Sequence, residues 1–122
     1  GARGSGDAAG GAVETISGIQ FSPRTVSGIP AKELKGLVDE EKARLKSGVV
    51  LVAASSEDGK AAIVVGVTDD LKDRYNAVDL VRAASEAVGG KGGGGRPDMA
   101  QAGGPDGQKL DQAVEAVRAA LS

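Results

Sequence analysis

At 122 residues and a formal net charge of −2, the chain has the size of one domain and no generally basic coat, so any anion binding has to come from a local patch. It contains neither Cys nor His, which removes disulfides, thiol chemistry and every His- or Cys-based zinc site or triad, and is consistent with a reducing compartment. Phe21 and Tyr75 are the only rings and no apolar run is long enough for a bilayer span, so the core has to be built from Val, Leu, Ile and Ala.

Gly1 to Ala12 are Gly, Ala and Ser with one Arg and one Asp; they can bury almost nothing and read as a flexible linker ahead of a single domain over residues 13–122. The chain has no initiator Met and reads as a fragment or excised domain. Val13–Ile16 and Ile19–Phe21 flank Ser17-Gly18, a plausible two-residue hairpin turn, and Pro23 ends the second strand or confines it to an edge. Pro30 to Ser47 reads as a helix, with Pro in the first turn and Gly48 where it stops. Ala31, Leu34, Leu37, Val38 and Leu45 form its apolar stripe, which Glu41 weakens, and Glu40 and Arg44 are spaced for an exposed pair.

Val49–Ala54 and Ala61–Val67 are continuous apolar runs rich in β-branched residues, the pattern of central strands covered on both faces. Ser56-Glu57-Asp58-Gly59 joins them as a hairpin. After a charged turn, Asp69 to Arg74, Asn76 caps a helix whose stripe is Ala77, Leu80, Val81, Ala84 and Val88, ending at Gly89. Asp98–Ala102 reads as one more short strand, with Met99 and Ala102 inward, and Pro105-Asp106-Gly107 opens a last helix with Leu110, Ala113, Val114, Val117 and Leu121 on its stripe. The expected fold is α/β (mixed α+β): a small mixed sheet of about five strands packed with three helices.

Between the second and third helices runs Gly89-Gly90-Lys91-Gly92-Gly93-Gly94-Gly95-Arg96-Pro97-Asp98, in which six of the first seven residues are Gly. Gly90-x-Gly92-x-x-Gly95 matches the dinucleotide fingerprint in letters only. That motif needs a strand before it and a helix N-terminus after it, whereas here a helix precedes and Arg96-Pro97 follows. No Gly-Lys-Ser/Thr ending exists, so a nucleotide P-loop is also out. Two readings stay open. Glycine N–H groups converge on a phosphate oxygen with Lys91 and Arg96 adding charge, or the glycines make a tight crossover where helix meets sheet. Arg96 is equally spaced for a structural pair with Asp98. Lys72, Arg74 and Arg82 either extend a basic patch or are solvated, and Tyr75 either stacks on a base or packs at the edge of the core. The acidic residues form no paired acid–base site, and no catalytic constellation is present.

The stretch Gly89–Gly104 resembles the signature near the C-terminus of bacterial alanyl-tRNA synthetases. Gly36-Leu37-Val38-Asp39-Glu40, Gly66-Val67-Thr68-Asp69-Asp70-Leu71 and the closing amphipathic helix extend the likeness over Val13 to Ser122. The resemblance implies the globular C-terminal domain of such a ligase, in the wider DHH-associated family also found in phosphoesterases and single-strand exonucleases. It implies a cytoplasmic, non-catalytic domain that binds the outer corner of tRNA, helping the aminoacylation and editing centres act on one molecule, with other domains of the parent as partners. It also brings an association with homodimer formation, largely through an upstream helical portion. ATP, Mg and Zn would serve the parent enzyme upstream, with no cofactor in this fragment. Carried over residue by residue, the tRNA- or phosphate-binding positions are Lys91, Gly92, Gly93, Gly94, Gly95 and Arg96, the phosphate-facing role coming from the phosphoesterase relatives. The alternative function is a substrate-phosphate-binding accessory domain of a DHH-type phosphoesterase or exonuclease, and a purely structural dimerisation unit is a third.

Overall fold

Two apolar runs with side chains on alternating faces need cover on both sides, and the computed structural model provides it. It describes residues 13–16, 18–27, 31–45, 47–55, 59–90 and 93–121. The strands are β1 (Glu14–Ile16), β2 (Ile19–Ser27), β3 (Val49–Ser55), β4 (Ala61–Val67), β5 (Gly94–Arg96) and β6 (Met99–Gly104). The helices are α1 (Ala31–Leu45), α2 (Ala77–Ala87) and α3 (Leu110–Leu121). The strands form one sheet in the order β1-β2-β3-β4-β6-β5. β2 and β3 are parallel, with α1 as the crossover between them, and the other neighbours are antiparallel. Among the described residues the sheet is mixed and packed with three helices, as expected, but it has six strands rather than about five; the addition is β5, at the end of the glycine stretch.

β3 and β4 pair from Val49↔Val67 to Ser55↔Ala61, and their alternate residues divide between two cores. Val50, Val52, Ala54 and Val64 meet Leu34 and Val38 of α1 on one face. Val49, Leu51, Ala53, Ile63, Val65 and Val67 meet Phe21 and the stripes of α2 and α3 on the other. Burying both faces is what makes these strands read as unbroken apolar runs. The expected stripes of α2 and α3 are all buried except Leu110, which is half-buried. Met99 and Ala102 pack against opposite cores.

Several local expectations resolve here. β1 and β2 form the hairpin, with Gly18 at φ +81° in its turn. β2 runs on through Pro23 to Ser27; β1 pairs only as far as Phe21, so from Ser22 onward β2 is the outermost strand and a missing N–H is tolerated. Asn76 caps α2, its Oδ1 accepting from the Val78 N–H at 2.8 Å. Glu41 does not simply interrupt the α1 stripe: it is only 3% exposed. It accepts from Ser22 Oγ at 2.9 Å and from the Arg44 guanidinium at 2.9 Å. Arg44 therefore pairs with Glu41, three residues back, and not with Glu40. The expected linker 1–12, Ser17, Pro30 and Ser56–Asp58 of the β3–β4 hairpin lie outside the described residues.

Candidate nucleic-acid interface

α2 stops where its backbone is recaptured, the Gly90 N–H donating to Ser85 O at 2.8 Å while Ser85 Oγ donates to Gly103 O at 3.0 Å. Lys91 and Gly92, two of the six expected contact residues, lie outside the described residues. The rest follow as the approach to β5 and β5 itself, the last strand of the sheet, paired Gly94↔Gln101, Gly95↔Ala100 and Arg96↔Met99 with β6. The two readings of the glycines divide among them. A Cβ on Gly93 would lie 2.3 Å from Gln101 O, and one on Gly95 would lie 2.6 Å from Met99 O at a φ of +149°, so these two let β5 lie flat on β6. Gly94 is exposed, and a Cβ there would meet nothing within 4 Å. An outermost strand turns alternate N–H and C=O groups away from the sheet, and here almost no side chain screens them.

Arg96 closes β5 and is presented by the Pro97-Asp98 turn. That turn is tied down through its carbonyls. Pro97 O accepts from the Ala77 N–H at the start of α2, and Asp98 O from the Val67 N–H at the end of β4, each at 2.9 Å. The Arg96 side chain is 80% exposed, and its Nε lies 3.8 Å from Asp98 Oδ1. The pairing with Asp98 therefore exists, but such an exposed, long ion pair contributes under about 1 kcal/mol and leaves most of the guanidinium donors facing solvent.

Lys72, Asp73, Asn76, Arg96, Pro97 and Asp98 line one open cleft of about 460 Å³. Of the three further cations considered from the sequence, Lys72 lines the same cleft as Arg96, and Arg74 and Arg82 do not. Lys72 Nζ sits 3.7 Å from Asp69 Oδ1. Arg74 lies over the Tyr75 ring, 5.6 Å from its centre, and Tyr75 is half-buried against the core, so that ring is packed rather than offered for stacking. Asp73 and Asn76 were not singled out for the site. The only signal was their position beside the α2 cap, and the anchoring carbonyls leave none, because any residue type supplies one.

A second open cleft, about 530 Å³, lies on the other side of the same turn and is lined by Lys42, Ala43, Thr68, Asp69, Asp70 and Asp98. It is the more acidic of the two. Asp70 accepts from Ser47 Oγ at 2.5 Å and Thr68 Oγ1 at 2.6 Å, and these hydrogen bonds, Ser47's first, hold its carboxyl below the usual carboxylate range. Among the described residues no three acidic, His or Cys side chains gather to hold a metal ion. No helix of the described residues is long and apolar enough to cross a membrane. The chemistry on offer at the β5–β6 turn is recognition of an anionic backbone by a guanidinium, an ammonium and bare peptide groups.

Comparison with known proteins agrees with the sequence resemblance. A profile of the DHHA1 domain matches residues 18–122. The chain is 60% identical over 121 residues to an alanine–tRNA ligase of Rhodopseudomonas palustris, covering 99% of this chain and 14% of that protein. It is 59% identical over 109 residues to the ligase of Parvibaculum lavamentivorans, covering 89% of this chain and 12% of that one. The chain thus spans about a seventh of the length of these relatives, whose kind favours the synthetase branch over the phosphoesterase one. Its fold matches the crystal structure of the C-Ala domain from Aquifex aeolicus alanyl-tRNA synthetase with a TM-score of 0.84 and 32% identity, covering 91% of this chain and 98% of that domain. The chain belongs to the DHHA1 domain family, in its alanyl-tRNA synthetase C-Ala branch.

Proposed function

We propose that this domain is a non-catalytic tRNA-binding module of an alanine–tRNA ligase, meeting the outer corner of tRNA through the β5–β6 turn and helping the aminoacylation and editing centres engage one molecule. The observation that carries the reading is Arg96, 80% exposed at the end of a bare outermost strand, with Lys72 lining the same cleft. Gly93 and Gly95 allow that strand to lie close to the sheet, Gly94 leaves it uncovered, and Lys91 and Gly92 complete the proposed contact set. Asp73 and Asp98 in the same cleft offset the two cations, so the contact is weak and tuned to shape rather than to a dense phosphate array. The ATP, Mg and Zn of the parent ligase are assigned to its parts outside this chain, its other domains are the protein partners, and the setting is the cytoplasm. We assign homodimer formation chiefly to a helical portion expected upstream of this domain in the parent.

Filter binding of the 122-residue chain to an alanine tRNA and to an unrelated tRNA tests this. The expected result is a dissociation constant of roughly micromolar strength or weaker, in the range of sequence-independent electrostatic binding. Little preference between the two tRNAs is expected, because a corner common to all tRNAs offers backbone and shape. No binding to either, at protein concentrations of hundreds of micromolar, would sink the reading.

A further inference from the structure

The turn that presents Arg96 is also held from the opposite face of the sheet, by α1. Lys42 Nζ donates to the Asp98 carbonyl at 3.3 Å, the same oxygen that accepts from the Val67 N–H. To get there its stem crosses β4 at Gly66. A Cβ on Gly66 would lie 2.8 Å from Lys42 Cδ and 2.3 Å from Val38 Cγ1, so any side chain there would close the path. Lys42 is half-buried and lines the cleft that also holds Asp69, Asp70 and Asp98, so the surroundings of its ammonium are acidic on balance. A phosphate is repelled from such a place, which argues that this cation acts on the protein and not on the RNA. Asp98 lines both clefts, so what steadies its backbone on one side sets where Arg96 sits on the other.

We propose that Lys42 is a positioning residue for the RNA-facing turn: threaded across the notch at Gly66, its ammonium holds the Asp98 carbonyl and thereby the placement of Arg96. The inference rests on the reading that Arg96 faces tRNA. It links α1, on the far side of the sheet, to the interface, so contacts made by α1 with the rest of a ligase would reach the tRNA contact through this side chain.

The test compares wild type with Lys42→Met, which keeps the stem and removes the donor, Lys42→Arg, which keeps a donor, and Arg96→Ala. Each is titrated with tRNA at several salt concentrations and followed by amide exchange at Arg96, Asp98 and Met99. Lys42→Met is expected to bind about two- to tenfold more weakly, the scale of one missing hydrogen bond, with faster exchange at the turn and an unchanged salt slope. Lys42→Arg is expected to restore binding. Arg96→Ala removes a direct contact and lowers the salt slope by about one. Unchanged binding by Lys42→Met while Arg96→Ala binds more weakly overturns the inference, as does a salt slope lowered by Lys42→Met, which would make Lys42 a direct contact. If Arg96→Ala leaves binding intact, the interface reading has failed instead. Turn exchange then judges Lys42 alone: faster exchange in Lys42→Met upholds its hold on the turn, and unchanged exchange overturns it.

Discussion

Ser22 Oγ donates to Glu41 Oε2 at 2.9 Å across the contact between β2 and α1, and neither residue reaches solvent appreciably. Arg44 donates to the same carboxylate, and Arg24 approaches it to 3.9 Å. A carboxylate in an apolar seam is tolerated only while these donors hold it. Glu41→Ala removes their shared acceptor and is expected to destabilise the domain by about 3 kcal/mol. Combining Glu41→Leu with Ser22→Ala, which replaces the buried Ser22 donor together with its acceptor, is expected to cost less than Glu41→Ala. Urea unfolding of the two proteins checks the contrast.

Asp70 supplies the pH dependence. Its folded pKa is depressed by the Ser47 and Thr68 hydroxyls, so its contribution is present above the unfolded carboxylate value of about 4 and is lost as pH falls through the lower folded value. Asp70→Asn is therefore expected to flatten the acid limb of the stability curve below about pH 4. Thermal midpoints measured across that range, with an NMR titration of the Asp70 carboxyl, check it.

Arg118 clasps the first strand to the last helix. Its Nε donates to Glu14 Oε1 at 2.8 Å and a second nitrogen to Oε2 at 2.5 Å, with Glu115 as a further partner on α3. These partners raise the Arg118 pKa further above its ordinary value, the Glu14 hydrogen bonds most, so the clasp keeps its positive charge throughout. A bidentate but partly exposed pair is expected to show a coupling of about 1 kcal/mol in a double-mutant cycle of Glu14→Gln and Arg118→Met. Hydrogen exchange in β1 is expected to rise in either single variant.

The two neighbouring glycines of β5 are expected to behave oppositely. Gly95→Ala meets the Met99 carbonyl and the Ala100 backbone and is expected to destabilise by about 1–3 kcal/mol. Gly94→Ala points into open space and is expected to change stability by no more than about 0.5 kcal/mol. Chemical denaturation of both variants separates packing from exposure along the stretch.

Much of this architecture was legible where burial leaves a period in the chain. The runs of β3 and β4 announced a sheet covered on both faces, and Asn76 with Leu80, Val81, Ala84 and Val88 announced α2 from cap to end. What was illegible depends on partners distant in sequence. Gly94–Arg96 is a strand because β6 lies beside it, and glycine's weak strand preference hides that. Glu41 looked like a break in a stripe because Ser22, its donor, belongs to another element. Arg96 was picked out as a candidate from its neighbours in the motif. Its cleft was not, since Lys72 and Arg96 line one cleft through the docking of the Pro97 carbonyl on the start of α2.

The most direct measurement is a tRNA titration at two salt concentrations with wild type and with the double variant Lys91→Ala, Arg96→Ala. The variant is expected to bind more weakly, with a salt slope shallower by about two, one for each phosphate that the missing cations no longer neutralise. Identical affinity and slope for the two proteins would contradict a tRNA contact at Lys91 and Arg96 and move the RNA interface off the glycine edge.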